Sequence, residues 1–567
     1  MTNLPTANIN LTSLEVSLGD LVGRVLVESG IVDLFCIPGD FTMQLSRELL
    51  TTPGLALRTM SHEYGTTLAA LGYAVGKGVP GAVCFTYGVG VLNATNAIAQ
   101  AYVERVPLLV LSGSPGARER QAPIFLHHTI VDHQTQYRIM KEITVHQVCV
   151  TDPHQALEQI REAVTLAIAH SRPVYIEIPR DLFQTRVRYT PARRVSLEPA
   201  IRYSHAARQA AEQAYALVRK AREPVFVPGL ELKRRGLTDL AMRVCERLAM
   251  PWVATPMSRG GIPISHPNYR GIYAGPASPS RVTRDLLARC DVLMLIGEPN
   301  SDVNMGIASH IARGRLIHAD DGKIIVGRQR FNASTAEFLI AFAELISTVK
   351  PSLAPLSEEQ KAFVVPAPST HYPLEEGPLT PFDIINELNR HFAASPDTQL
   401  VVDCGDVFFM SLGMFPADVL TSPLYMSMGI AVPGAMGYQL GTGKRPIVLV
   451  GDGAFHMTGN ELMRAAKFGL SPIVIVLNNQ RWASLSSDTD DIALTEQLPM
   501  SFSAAGLFLQ VQAFTATTGG ELRLRLAEAL GMDKPVLIDA QVDPAMRSYL
   551  CERFFDAVKS QQHLPKA

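Results

Sequence analysis

GYAVGKGVP at residues 72–80 and GYQLGTGKRP at residues 437–446 are two versions of one peptide. The likeness extends beyond the peptide. Gly72, Gly76, Gly78, Gly88 and Pro107 recur as Gly437, Gly441, Gly443, Gly453 and Pro472, all at an offset of 365 and spread over 36 positions. Glycine and proline hold backbone positions that other residues fill poorly, so five in register mark a duplicated backbone. The chain therefore carries two copies of one domain around a middle part of different sequence.

Outward from the repeat, short apolar runs alternate with longer segments of helical period, the pattern of parallel sheets covered by helices. Around the first copy the expected strands are Asp33 to Ile37, Leu57 to Met60, Ala82 to Thr86, Leu108 to Leu111 and Val174 to Ile178. Around the second they are Gln399 to Val402, Ile447 to Val450, Ile473 to Leu477 and Val536 to Ile538. Between them PVFVPG, PWVAT, DVLMLIG and RLIHAD indicate a third α/β block. The stretches 186–205 and 351–378, rich in Pro, Ser and charge, read as linkers. The expectation is an α/β chain of three domains, 10–185, 206–350 and 379–555, with two homologous doubly wound parallel-sheet domains flanking the middle one. A length of 567 residues suits this at about 150 residues per domain.

With 47% hydrophobic and 18% charged residues and a net charge of −2, the chain lacks the basic excess that phosphate backbones select, so nucleic acid is not an expected partner. No stretch reaches the about 20 apolar residues of a membrane span. The opening MTNLPTANINLTS has no basic segment followed by an apolar run, so no secretory leader is expected. Seven scattered cysteines without a CxxC pair read as buried apolar residues of a reducing compartment, and the chain as cytoplasmic.

In the second copy one strand runs into Gly451-Asp452-Gly453-Ala454 and a later one into Asn478-Asn479, with 24 residues between GDG and NN. Both turns lie at the carboxyl edge of the sheet, where open α/β sheets bind ligands. Glycines let the backbone approach a phosphate, and the following helix offers free N–H groups. Asp452 and Asn479 supply a carboxylate and an amide oxygen, hard ligands suited to Mg²⁺ that also keeps phosphate oxygens and water.

GDG and NN at this spacing, each at a strand end, resemble the signature of thiamine-diphosphate enzymes. The resemblance covers roughly residues 14 to 555 and accounts for the repeat: one copy grips the pyrophosphate through Mg²⁺, its twin the aminopyrimidine. His62-Glu63-Tyr64 stands where the family carries the glutamate that bonds the pyrimidine nitrogen. A buried carboxyl of raised pKa there promotes the imino tautomer that forms the ylide. FCIPGDF at 35–41 and LHHT at 126–129 look like the GxPGD turn and histidine pair of pyruvate, indolepyruvate and phenylpyruvate decarboxylases. There Asp40, His127 and His128 would serve enamine protonation and aldehyde release. By the same resemblance Met428 is the wedge that bends the cofactor, and Asp406 and Phe408 approach cofactor and substrate. The backbone carbonyl of Arg481 is the third protein ligand to Mg²⁺. A homodimer with sites at the subunit interface would be the smallest active assembly, and a homotetramer is common.

The chain departs from the family after the double asparagine. In NNQRWASL, Leu485 stands where pyruvate decarboxylases carry a glutamate that serves proton transfer. Three readings follow. A poorly solvated apolar site still favours loss of CO₂, with Asp302 of GEPNSDVN supplying the acid, as in phenylpyruvate decarboxylases that lack the glutamate, although an Asx-type turn is an equal reading of Asp302. Alternatively the enamine attacks an acceptor, making a carboligase that forms acyloins or acetohydroxy acids. As a third reading the chain binds cofactor without turnover. Leu485, Ala483 and Phe408 suggest an apolar pocket for an aryl or longer alkyl side chain. Lys233-Arg234-Arg235 reads as a solvated helix start, and Asp488, Asp490 and Asp491 as an acidic loop near the site.

Overall fold

The computed structural model describes residues 13–191, 203–260, 264, 266–304, 307, 311–347, 377–485 and 492–562. Asp488, Asp490 and Asp491 lie outside these residues, as do 192–202 and 351–376 of the two expected linkers. The chain divides into two compact units, Met1–Pro199 and Ala200–Ala567.

The first unit contains strands β1 (Leu14–Ser17), β2 (Asp33–Cys36), β3 (Ala56–Thr59), β4 (Gly81–Phe85), β5 (Leu108–Ser114), β6 (His146–Cys149), β7 (Pro173–Pro179) and β8 (Arg186–Tyr189). Six of them form a parallel sheet in the order β3-β2-β4-β5-β7-β6. The central strands β4, β5 and β7 are buried along their whole length, so their sequences are near-continuous apolar runs. Strands β1 and β8 pair antiparallel, Leu14 opposite Tyr189. Arg186–Tyr189 is thus a strand and not the start of a linker; it buries Val187 and Tyr189 on alternate positions.

The second unit holds two sheets. The middle one comprises β9 (Pro224–Pro228), β10 (Trp252–Ala254), β11 (Tyr269–Ile272), β12 (Val292–Ile296), β13 (Leu316–Asp320), β14 (Lys323–Val326) and β15 (Gln329–Asn332). Its order is β11-β10-β9-β12-β13-β14-β15, parallel as far as β13 and antiparallel beyond. The last sheet comprises β16 (Gln399–Val402), β17 (Asp418–Leu420), β18 (Pro446–Gly451), β19 (Ile473–Asn478), β20 (Gln512–Ala516) and β21 (Val536–Gln541), in the order β17-β16-β18-β19-β21-β20. Strand for strand this is the order of the first sheet. The repeat therefore duplicates a whole parallel fold. Gly78 and Gly443 close the equivalent helices Glu63–Lys77 and Ala431–Thr442 at φ of 71° and 69°. Pro107 and Pro472 directly precede β5 and β19.

Within the second unit the middle and last sheets share a core: Phe408, Phe409, Leu412 and Leu550 belong to the same buried cluster as Phe226, Trp252 and Met294. Lys233 bonds the carboxylate of Asp418, and Arg259 donates to Ser411 Oγ at 2.6 Å. Lys233 and Arg234 end the helix Leu230–Arg234, and Lys233 is an ion-pair partner instead of a solvated helix start. All seven cysteines are free; five are buried, while Cys149 and Cys290 are half-buried. Among the described residues no helix is long and apolar enough to cross a membrane.

Candidate active site

In the second unit β18 runs into the helix Asp452–Thr458, and β19 ends at Asn478. Adjacent parallel pairing of β18 and β19, Gly451 opposite Leu477, brings the two turns side by side. Asp452 is buried, and the backbone amides of Gly453, Asn479, Gln480 and Arg481 reach its carboxyl group. Burial pushes that carboxyl up to about 6 against the opposing pull of these amides. Its Oδ2 has no hydrogen-bond partner among the described residues. Nor has the buried indole N–H of Trp482. Trp482 lies over the GDG turn: a Cβ added to Gly453 would sit 2.1 Å from Trp482 Nε1, so only glycine fits. Buried polar atoms without partners are rare, and an open acceptor and an open donor at one turn suit a cation with phosphate oxygens. Asp452, Asn479 and the Arg481 carbonyl therefore fit the Mg²⁺ diphosphate group.

These residues line a cavity of about 360 Å³ that also takes in Asp302, Asp406, Met428, Gly451, Gly453 and Ala454. Asp406 is held by Ser548, whose N–H donates to Oδ2 at 2.8 Å and whose hydroxyl bonds Oδ1. Asp302 lines the cavity, and its Oδ1 accepts the N–H of the next residue, Val303, at 3.0 Å, one residue short of the span of an Asx turn. Leu485, 63% exposed, and the buried Ala483 and Phe408 complete part of the wall. The aromatic side extends further than the sequence suggested. Phe554 and Phe555 of the C-terminal helix Tyr549–Gln562 line the cavity and pack on Phe409 at ring distances of 4.7 and 5.8 Å.

Two buried carboxylates outside the motifs hold the site's turns. Asp403, at the end of β16, accepts Cys404 N–H at 2.9 Å, Gly429 N–H at 2.9 Å and Ala431 N–H at 2.8 Å. It thereby fixes the backbone beside Met428. Asp539 of β21 accepts the amide of Asn478 at 2.8 Å and Phe502 N–H at 3.0 Å. Neither has a local sequence signal beyond a position near a strand end.

In the first unit Asp40, His127 and His128 come together from two loops. His127 Nε2 lies 2.6 Å from Asp40 Oδ2, His128 Nδ1 lies 3.9 Å from Oδ1, and Thr86 donates to Oδ1 at 3.2 Å. Burial favours the protonated form of Asp40, but the bond to His127 and the charges of both histidines outweigh it and hold the carboxyl below its ordinary value. His128 adopts φ of +68°, and its carbonyl presses on Gly88, whose added Cβ would meet it at 2.2 Å. Gly88 and Gly453 are equivalent in the repeat, and each is crowded by a residue of its own copy's site. Behind Gly88 runs a buried chain: Gln136 accepts its N–H at 2.6 Å and donates to Tyr175, which donates to Glu177 at 2.8 Å.

Glu63 is the first residue of the helix Glu63–Lys77 and accepts the Asn93 amide at 2.7 Å. Within one chain it is half-buried, short of the burial that the sequence led one to expect. Large apolar side chains near the histidine pair stand exposed, among them Phe125 at 76% and Val131 at 79%.

Comparison with known proteins agrees with the duplicated sheets. Residues 16–142 match the N-terminal TPP binding domain of thiamine pyrophosphate enzymes, 211–346 their central domain and 394–540 their C-terminal TPP binding domain. The chain is 32% identical to an indole-3-pyruvate decarboxylase of Azospirillum brasilense over 555 residues, 97% of this chain and 100% of the relative. It is 28% identical to a probable pyruvate decarboxylase of Schizosaccharomyces pombe, covering 93% of this chain and 94% of that one. Pyruvate decarboxylase 3 of Arabidopsis thaliana is 29% identical over 84% of this chain and 81% of its own length. Three matched domains, a repeated sheet and near-complete coverage lead to one statement: the chain belongs to the family of thiamine-diphosphate-dependent 2-oxo acid decarboxylases.

Proposed function

We propose that this protein converts a 2-oxo acid with an aryl or longer alkyl side chain to the aldehyde and CO₂, using thiamine diphosphate and Mg²⁺, as a cytoplasmic homodimer or homotetramer. The observation that carries the reading is one cavity lined by Asp452, whose Oδ2 has no hydrogen-bond partner among the described residues, and walled by Phe408, Phe409, Phe554 and Phe555. The domain divisions that go with it are 10–185, extended through β8 to Tyr189, then 206–350 and 379–555. Assembly into a dimer is supported by the exposed Phe125 and Val131.

Asp452, the Asn479 side-chain oxygen and the Arg481 carbonyl would hold Mg²⁺, with Gly451, Gly453 and Ala454 lining the diphosphate position. The cofactor, when bound, supplies the carbanion that takes up the carbonyl carbon and accepts the electrons released with CO₂. Glu63 holds and returns the proton at the pyrimidine nitrogen. Asp406 and Met428 shape the cavity around the cofactor, Met428 on a turn that Asp403 fixes. The apolar wall excludes water from the departing carboxylate, which favours loss of CO₂. Asp40 and His127 deliver the proton that completes the aldehyde, with His128 alongside, and Asp302 supplies the acid absent at Leu485.

Leu485 favours a second reading, ligation to an acceptor carbonyl, because it removes one proton donor. Product analysis separates the two. Purified protein with both cofactors is offered pyruvate, branched-chain, phenylpyruvate and indolepyruvate acids. Aldehyde in step with CO₂ from the larger acids is expected. An acyloin or acetohydroxy acid as main product would replace the reading with the carboligase, and cofactor binding without CO₂ from any acid would refute both.

A further inference from the structure

Three segments of the first unit converge on Asp40: the loop of His127 and His128, Thr86 after β4, and Arg180 after β7; the short helix Ala117–Gln121 reaches Arg180 through Glu119. Arg180 Nη1 lies 3.9 Å from Asp40 Oδ2, and its guanidinium stands 4.4 Å from the centre of the Phe41 ring. The same ring packs against His127 at 5.2 Å and His128 at 5.7 Å. Arg180 is anchored from behind. Its Nε donates to Glu119 Oε2 at 2.9 Å, and its Nη2 bonds Oε1. Glu119 Oε2 also accepts Gly116 N–H at 2.9 Å, and Asp181 accepts Ala117 N–H at 3.0 Å. The fork is therefore committed to Glu119 through Nε and Nη2, and Nη1 faces Asp40.

We propose that Arg180 is a positioning residue whose charge, tempered by Glu119, sets the proton affinity of the Asp40–His127 pair and whose stacked guanidinium holds Phe41 beneath both imidazoles. A cation between two carboxylates is a poor receptor for a substrate carboxylate, so anion capture is not its work. The same cation opposes a metal ion at Asp40, His127 and His128, whose ligand atoms gather within 4.8 Å. The titratable and charged groups that face Asp40 and Arg180 in this unit are His127, His128, Glu119 and Asp181. Removing the Arg180 charge lets Asp40, and with it the pair it forms with His127, hold a proton more tightly. Removing the Glu119 charge exposes more of the cation and loosens that proton.

The inference rests on the proposed proton role of Asp40 and His127 only in what it means for turnover, so the test reads protonation directly as well. The holoenzyme and the variants Arg180→Met, Arg180→Lys and Glu119→Gln are treated with diethyl pyrocarbonate from about pH 5 to 9, a window that spans imidazole titration. Carbethoxylation of His127 is followed by mass spectrometry, and kcat/KM is measured over the same range. In Arg180→Met the pH profile of His127 modification should shift to higher pH, and in Glu119→Gln to lower pH. Arg180→Lys should stay near wild type in midpoint, with a lower rate from the lost stacking. The kcat/KM limbs should move with the midpoints. Midpoints unmoved in both charge-removing variants, or moved the same way, would overturn the inference. Midpoints that move while the kcat/KM limbs stay would uphold it and refute the proton role of the pair.

Discussion

Asp403 should be the mechanical support of the turn that carries Met428. Replacing it with alanine leaves three buried backbone donors, those of Cys404, Gly429 and Ala431, without an acceptor. Each such donor is worth about 1–3 kcal/mol, a gross loss centred near 6 kcal/mol. Against this stands relief from a buried charge. Burial raises the Asp403 carboxyl from 3.8 to about 6 despite the amides, a rise of roughly two units that corresponds to about 3 kcal/mol. The net loss at neutral pH is therefore about 3 kcal/mol, enough to raise the population of the open turn about a hundredfold. Hydrogen exchange read by mass spectrometry on a peptide spanning 427–433 should show that acceleration in Asp403→Ala, with weaker thiamine diphosphate binding. Unchanged exchange in this peptide would mean that the three bonds carry no load and that Asp403 does not support the turn.

Two further outcomes are expected. Gly453→Ala drives a methyl group into the Trp482 indole; overpacking of about 1–3 kcal/mol should weaken thiamine diphosphate binding by about ten- to a hundredfold. Trp482 is one of only two tryptophans, so its fluorescence reports binding directly, and unchanged affinity would contradict the close packing. Glu298, fully buried and bonded by Thr255 and Asn304, is pushed by burial up to about 7. A pKa raised above its unfolded value near 4.5 means that the folded state binds the extra proton between those limits, so its stabilisation is present below about 4.5 and lost through about 7. The stability advantage of wild type over Glu298→Gln should therefore shrink by about 3 kcal/mol across that window, and a widening gap would contradict the assignment.

What could be read in the sequence follows burial. Interior strands such as Ala82 to Thr86 and Ile473 to Leu477 are apolar because both faces are covered, and the structure places strands there. The edges His146–Cys149 and Gln512–Ala516 are short and half-polar, and nothing in their composition distinguished them from loops. GDG and NN were legible because adjacent parallel strands hold them at one edge. Arg180, Glu119 and Asp403 were not, since each acts on a residue far along the chain, and the pairing of Lys233 with Asp418, 185 positions on, defeats any local reading of a basic triplet. Phe554 and Phe555 sit on a helix whose packing partner, Phe409, only the fold reveals.

Glu63→Gln probes the proposed start of thiamine-diphosphate-dependent decarboxylation at Glu63. CO₂ and aldehyde release are measured with thiamine diphosphate and Mg²⁺ supplied, and cofactor binding is followed separately through Trp482. Wild type should release CO₂ only with both cofactors, while Glu63→Gln should still bind cofactor yet lose about a hundred- to ten-thousandfold in rate, the range of an acid–base group. Full turnover in Glu63→Gln, with cofactor bound, would rule out Glu63 as the acid–base group that starts the reaction.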